Sequence, residues 1–412
     1  MTFRRSLLLA IFLSSIACLA LLHWTLQRPI GSFTQGDAEG YHAGAVSLLT
    51  VGQYQFRGLP YTEREPGQSI FLAGVYAVFG IGNIGAVFFV QWLMAAAAIA
   101  CFALEARRQH GERAALIAAW LLLLSAPVFH TIFTLNREGL ALSLCMTMVC
   151  MLARTLRTRS ILDALGASTL FAALLLTYIP YMVLPVMLLP ALWWLGMRWR
   201  ALAAFMLVPC IALGLWGTWV QRHTGAFCIS SCYRSSVVWY VRGEQARDVH
   251  GLEPLRCLWA EYVTRDWTDR SPSCPFNAIM HRKWPDGLNL DQRDLDAATE
   301  GRAVIRQHFA NYLWFSIFEV IELHLPYVNG WGRWYNVAAV AWTLLLYLGI
   351  PLGIAAWRRP TPLLWLSWTV IAYSTGLFAL TDAIPRYLLP ILFAYALLAG
   401  IGYDRLLSRQ RP

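Results

Sequence analysis

The residues of this 412-residue chain best placed to do chemistry form a short acidic run, Gly36-Asp37-Ala38-Glu39-Gly40-Tyr41. Two carboxylates at that spacing can take a proton from an attacking nucleophile or hold a hard cation. In an extended segment both side chains would point the same way; in a helix they would diverge by about 200°. Taken alone, the run also reads as a solvated turn, or as a helix N-cap at Asp37. Downstream come Gly52-Gln53-Tyr54, then Glu63-Arg64-Glu65-Pro66-Gly67, then an apolar run to Phe79-Gly80. Another carboxylate stands in Asn136-Arg137-Glu138-Gly139, and a cation in Pro385-Arg386-Tyr387, with Pro390 following. Arg386, Arg333 and Arg64 are the guanidiniums that could hold an anion near these acids. An Arg at a membrane interface can also simply snorkel.

The elements that must position these groups are membrane spans. Hydrophobic residues make up 58% of the chain and charged residues 14%, with a mean hydropathy of +0.49. A soluble domain carries about 25% charged residues. Nineteen Trp and seventeen Tyr suit two interfacial belts. The net charge of +10 falls in short clusters between apolar runs rather than in one stripe, which excludes nucleic acid as the partner. Candidate spans are 6–26, 84–104, 114–128, 139–153, 161–178, 180–195, 202–220, 335–356, 363–380 and 386–403. The first run competes with a cleaved signal peptide, but it exceeds the roughly 7–15 residues of an h-region and reads as an anchor.

Arginine alternates along the turns. Arg107, Arg108 and Arg113, then Arg154, Arg157 and Arg159, then Arg198 and Arg200, then Arg358 and Arg359 follow every second span, and Arg405, Arg409 and Arg411 follow the last. Positive residues stay cytoplasmic, so both termini are expected in the cytoplasm, with the acidic run outside. Parity then assigns 68–80 and 309–325 to helices in the outer interface, the second carrying Glu319, Glu322 and His324. The expected class is an all-α polytopic bundle of about ten spans with interfacial helices and a periplasmic loop domain.

Three regions follow: a transmembrane catalytic core over 1–220 with the outer loop 27–67, a periplasmic region over 221–332, and C-terminal spans over 333–412. The second region holds Cys228, Cys232, Cys257 and Cys274, read as two disulfides with three pairings open. A zinc site using His250 or His281 fits no template. Cys18, Cys101, Cys145, Cys150 and Cys210 fall within spans and read as packing residues.

In order and type these motifs resemble the bacterial branch of the GT-C glycosyltransferases, which includes protein O-mannosyltransferases and lipid A aminoarabinose transferases. The matching positions are Asp37, Glu39, Tyr41, Gly52, Tyr54, Pro60, Pro66, Phe79 and Gly80, with Glu138 and Pro385-Arg386-Tyr387-x-x-Pro390. Glu65-Pro66-Gly67 departs from the family's usual Pro-Pro. The resemblance implies a polyprenyl-phosphate sugar donor and inverting transfer to a lipid, glycan or protein of the envelope. Asp37 would be the base, with Glu39 as neighbour or substitute. Glu138 would orient the acceptor or bind a metal, and Arg386, Arg333 and Arg64 would hold the phosphate. Some relatives use a divalent cation; its hard ligands here would be Asp37, Glu138 and Glu65 or Glu63.

Two rivals use other residues. A polysaccharide ligase or polymerase would rely on loop residues such as Arg242, Arg247, His250 and Arg256, and would leave the acidic run unexplained. A transporter or flippase would want charges in mid-span, and these spans have almost none.

Overall fold

A computed structural model describes residues 2–27, 31, 33–229, 232–248, 251–252, 292–326, 333–356, 361–381 and 384–409. Cys257, Cys274, His250, His281, Arg256, Arg358, Arg359 and Arg411 lie outside them. The described residues are helical almost throughout, as a chain in lipid requires, because a helix satisfies its own backbone polar groups. In chain order the helices are α1 (Phe3–Leu26), α2 (Asp37–Thr50), α3 (Gly67–Phe79), α4 (Ile84–His110), α5 (Glu112–Leu123), α6 (Ala126–Ile132), α7 (Glu138–Thr158), α8 (Ile161–Thr177), α9 (Pro185–Trp194), α10 (Trp199–Thr224), α11 (Cys232–Asp248), α12 (Gln292–Gln307), α13 (Phe309–Leu323), α14 (Arg333–Ala356), α15 (Pro362–Thr381) and α16 (Leu392–Arg409). One small hairpin pairs β1 (Gln55–Phe56) with β2 (Leu59–Pro60) antiparallel.

Seven helices among the described residues are long and apolar enough to cross a membrane: α1, α4, α7, α10, α14, α15 and the run from Pro385 through α16. The pair α5–α6 makes an eighth if its 52° bend lies within one span. Ser125 caps α6 by accepting from the Val128 N–H, and Pro127 opens it, so the break is encoded locally. The other two expected spans fall on α8 and α9, of 17 and 10 residues. At 1.5 Å per residue α9 covers about 15 Å, half of a hydrocarbon core, because Pro180, Pro185 and Pro190 interrupt that stretch. Helix length among the described residues thus supports seven crossings, or eight with the bent pair, and the count of ten rests on hydropathy and charge.

The chain divides into two compact units. The first comprises residues 1–229, 342–373 and 389–412. Within it α4 packs on α5 and α7, α7 on α8, α8 on α10, and α16 on α5. Helices α4 and α7 run side by side: Gln91 on α4 bonds to residues 132 and 134, just ahead of α7, and Glu105 near the end of α4 pairs with Arg157 near the end of α7. From Glu138 to Arg157, α7 advances about 28 Å, close to the thickness of a bilayer core. The two polar ends of this unit are therefore a membrane's width apart.

The second unit comprises 230–341 and 374–388. Its helices α11 and α12 approach closely where Gly243 meets Gly301, and α13 packs against both. One face of α13 buries Tyr312, Phe315 and Glu319, while Phe309, Leu313, Ile317 and Ile321 form an exposed apolar stripe every four residues. Glu319 is ion-paired with the fully buried Arg242, which also donates to Gln245 and to the Thr381 carbonyl. In the first unit Cys228 is disulfide-bonded, whereas Cys18, Cys101, Cys145, Cys150 and Cys210 are free thiols.

Candidate active site

The acidic run is helical, and that decides what its two carboxylates do. Gly36 caps α2 with φ +60°, a left-handed backbone that glycine adopts without a Cβ clash. Asp37 and Glu39 then stand in the first turn, where the helix dipole favours negative charge. Asp37 shares a face with Tyr41, one turn on, while Glu39 lies about 200° around the axis. Asp37 Oδ1 accepts from Arg64 Nη2 at 2.5 Å, and the Arg64 guanidinium covers the Tyr41 ring at 5.6 Å. Glu39 instead meets Arg57 at 3.2 Å on an exposed surface. The second carboxylate therefore does not share the position of the first.

The 51–66 segment reaches Asp37 because it lies flat on α2. A Cβ on Gly40 would come within 2.0 Å of the Tyr61 hydroxyl oxygen, so only glycine permits that approach. Tyr54 anchors the segment's far side: its hydroxyl donates to the carbonyls of Arg64 and Glu65 at 3.2 and 3.3 Å. The Tyr54 ring sits among Tyr61, Trp216 and Trp219, with Cys228 packed on the same cluster. Burial pushes the Tyr61 phenol up to about 12, with Arg64 opposing, so it stays protonated as a donor.

Next to Arg64 the chain turns inward. Glu65, 2% exposed, accepts from Arg137 Nη1 at 3.0 Å. Arg137 is buried too, and its guanidinium covers the Tyr178 ring at 4.7 Å. Glu138, also buried, opens α7 beside it. Burial opposes the charge on Arg64, but Tyr41 and Asp37 outweigh it and hold the guanidinium above its ordinary value. Arg137 shifts the same way, against burial, through Tyr41 and Glu65. Tyr41 thus lies within electrostatic reach of both cations. Together Asp37, Tyr41, Arg64, Glu65, Arg137 and Glu138 form one polar cluster at one end of an apolar bundle.

Of the residues singled out from sequence, Asp37, Arg64, Glu65 and Glu138 come together. Glu39 turns away with Arg57, and Glu63 is exposed. Arg333 and Arg386 belong to the second unit, where Arg333 is exposed and Arg386 lies against the Tyr387 ring. Among the described residues no group of three or more His, Cys, Asp or Glu side chains is arranged to hold a metal. Asp37 and Glu65 each direct one oxygen at a guanidinium. Sequence reasoning passed over Arg137 and Tyr178. The one signal for Arg137 was its place beside Glu138 in the quoted motif; nothing flagged Tyr178.

No protein-family model and no curated protein matches the sequence. Several solved structures are similar. The archaeal oligosaccharyltransferase AglB from Archaeoglobus fulgidus, in complex with an inhibitory peptide and a dolichol-phosphate, matches at TM-score 0.46 and 14% identity over 90% of this chain and 46% of that one. The A. fulgidus oligosaccharyltransferase tethered to an acceptor peptide matches at 0.49 and 12%, over 90% and 45%. ArnT from Cupriavidus metallidurans bound to undecaprenyl phosphate matches at 0.41 and 16%, over 97% and 78%. The chain spans about half the length of the archaeal enzymes. At 12–16% identity none of these similarities transfers a residue role, and the roles assigned to this chain rest on its own contacts.

Proposed function

We propose that this chain is an inverting membrane glycosyltransferase that moves a sugar from a polyprenyl-phosphate carrier to an acceptor, with Asp37 as general base. The observation that carries the reading is the Asp37–Arg64 pair, seated beside the buried Glu65–Arg137 pair at one end of an apolar bundle. The donor class rests on the motif resemblance. The alternation of Arg-rich turns supports an outward-facing site with both termini cytoplasmic, and the motif resemblance supports the periplasmic face of a bacterial inner membrane.

In the reaction the acceptor's nucleophile attacks the anomeric carbon. The bond from that carbon to the phosphate oxygen breaks, and its electron pair leaves with the phosphate. Asp37 takes the acceptor's proton. Phosphate leaves without protonation, so the site needs one base and a cation to meet the developing charge. Arg64 is placed for both tasks: it orients the Asp37 carboxylate now, and its remaining N–H donors can face an incoming phosphate. Glu138, beside Arg137, is suited to orient the acceptor, whether lipid, glycan or protein.

The ligase reading gains nothing from Arg242, which is buried against Glu319. To test the proposal, purified protein in liposomes is given a labelled polyprenyl-phosphate sugar and an envelope extract. Transfer by Asp37→Asn should be about 10²–10⁴-fold slower than wild type. Undiminished transfer would remove Asp37 as base. Label that crosses the bilayer with no transfer would favour a transporter.

A further inference from the structure

The cluster is assembled from two stretches far apart in sequence, 37–65 and 137–138, and something must hold them in register. The stretch before Arg137 is a tight turn at the end of α6. A helix end leaves its last carbonyls without internal partners, and buried carbonyls need donors. Two glutamines supply them. Gln91, on α4, donates through Nε2 to the carbonyls of Ile132 at 3.1 Å and Thr134 at 3.0 Å. Gln68, in the first turn of α3, donates to the Leu135 carbonyl at 2.9 Å. Gly139 lets the turn lie flat on α7: a Cβ there would meet the Thr131 carbonyl oxygen at 2.8 Å and Gln91 Oε1 at 3.2 Å.

The connectivity gives this clamp its meaning. Glu65 and Gln68 lie three residues apart, and they grip Arg137 and Leu135, two residues apart. The acid-bearing segment is thereby attached to the α6–α7 turn at two adjacent points. Both glutamines are buried, and neither Oε1 has a hydrogen-bond partner among the described residues. An orphaned buried acceptor costs free energy, which a methionine of the same shape would avoid. The amides are kept for their N–H groups.

We infer that Gln68 and Gln91 are positioning residues for the proposed transferase, holding the 132–137 turn so that Arg137 and Glu138 face the Asp37–Arg64 pair. Their catalytic meaning rests on the glycosyl-transfer reading; the clamp itself does not. The test uses full-length protein in nanodiscs and compares wild type with Gln68→Met, Gln91→Met, the double variant and the isosteric Gln91→Glu. Amide hydrogen exchange over 134–138 should rise about tenfold in each Met variant, with α4 and α7 protected as in wild type. Sugar transfer should lose about tenfold in kcat with donor KM within about twofold. Gln91→Glu should behave like Gln91→Met at a pH high enough to ionise its buried carboxyl and like wild type at lower pH, where the protonated carboxyl donates; it carries the comparison if a Met variant does not fold. Unchanged exchange in the folded double variant, or in folded Gln91→Glu at a pH where its carboxylate is ionised, would overturn the inference. If wild type transfers no sugar, the transferase reading fails while the exchange result still decides the clamp.

Discussion

The first unit has two charged ends, and they are built differently. At the Arg-rich end the acids Glu105, Glu112, Asp163 and Asp404 are together outnumbered by arginines. Glu105, 4% exposed, accepts from Arg157, from Arg108 at 3.2 Å and from Gln109 at 2.7 Å. Asp163 accepts from Arg154 and Thr158, and Asp404 pairs with Arg113. These contacts tie the α4–α5 turn to the α7–α8 turn and to α16. Among the described residues the balance at the Asp37 end is reversed: Asp37, Glu39, Glu63, Glu65 and Glu138 outnumber Arg57, Arg64, Arg137 and Arg222. Asp37 meets Arg64 there, while Arg137 lies between Glu65 and Glu138. The same side-chain chemistry makes an anchor at one end and leaves negative capacity at the other. A base must retain such capacity, and a staple need not.

Single substitutions at matched positions test that contrast. Arg64→Met removes the cation that orients Asp37 and faces the proposed phosphate, so transfer should fall about 10²-fold. Arg157→Met, at the other end, should leave turnover within about threefold. Equal losses in steady-state assays would mean that both ends act only through stability.

Stability should rank the ends as well. Arg137 and Glu65 are buried together, with side-chain exposures of 8% and 2%. Arg137→Met strands the Glu65 carboxylate and should cost about 3–5 kcal/mol, read from denaturant or thermal unfolding in detergent. Adding Glu65→Gln should restore much of that loss, because the desolvated charge goes with it. Glu105→Gln should cost less, about 1–2 kcal/mol. Its partners Arg157 and Arg108 are 41% and 59% exposed and can turn to water. A larger loss at Glu105 than at Arg137 would reverse the assignment of anchor and site.

Much of this was legible in the sequence because lipid leaves few choices. Apolar runs of about 20 residues had to be helices, and the Arg-rich turns marked one end of the bundle. The Asp37 neighbourhood was legible because its residue types suit acid–base chemistry. Three features were not legible. Whether Asp37 and Glu39 cooperate depends on a period of 3.6 or 2, and a short glycine-flanked run does not declare which. The Glu65–Arg137 pair joins residues 72 apart in sequence, and nothing local in either segment names its partner. The stretch 180–195 is apolar enough to read as a span, yet its α-helix starts only at Pro185 and runs ten residues.

The smallest expected effect concerns the outward side of α2. His42 Nδ1 is hydrogen-bonded to the Tyr76 hydroxyl at 2.9 Å, with the rings edge to face at 5.6 Å. Burial lowers its pKa below the ordinary 6.5. The unfolded chain therefore takes up this proton at a higher pH than the folded one, and stability falls as pH drops below about 6.5. His42→Gln keeps a hydrogen-bonding group toward Tyr76 and removes the titration. The stability difference between pH 7.5 and 5.5 should thus be smaller in that variant than in wild type, by an amount limited by the partial exposure of His42. An equal pH slope in both would assign the acid sensitivity of this end to its carboxylates, whose excess sets it apart from the Arg-rich end.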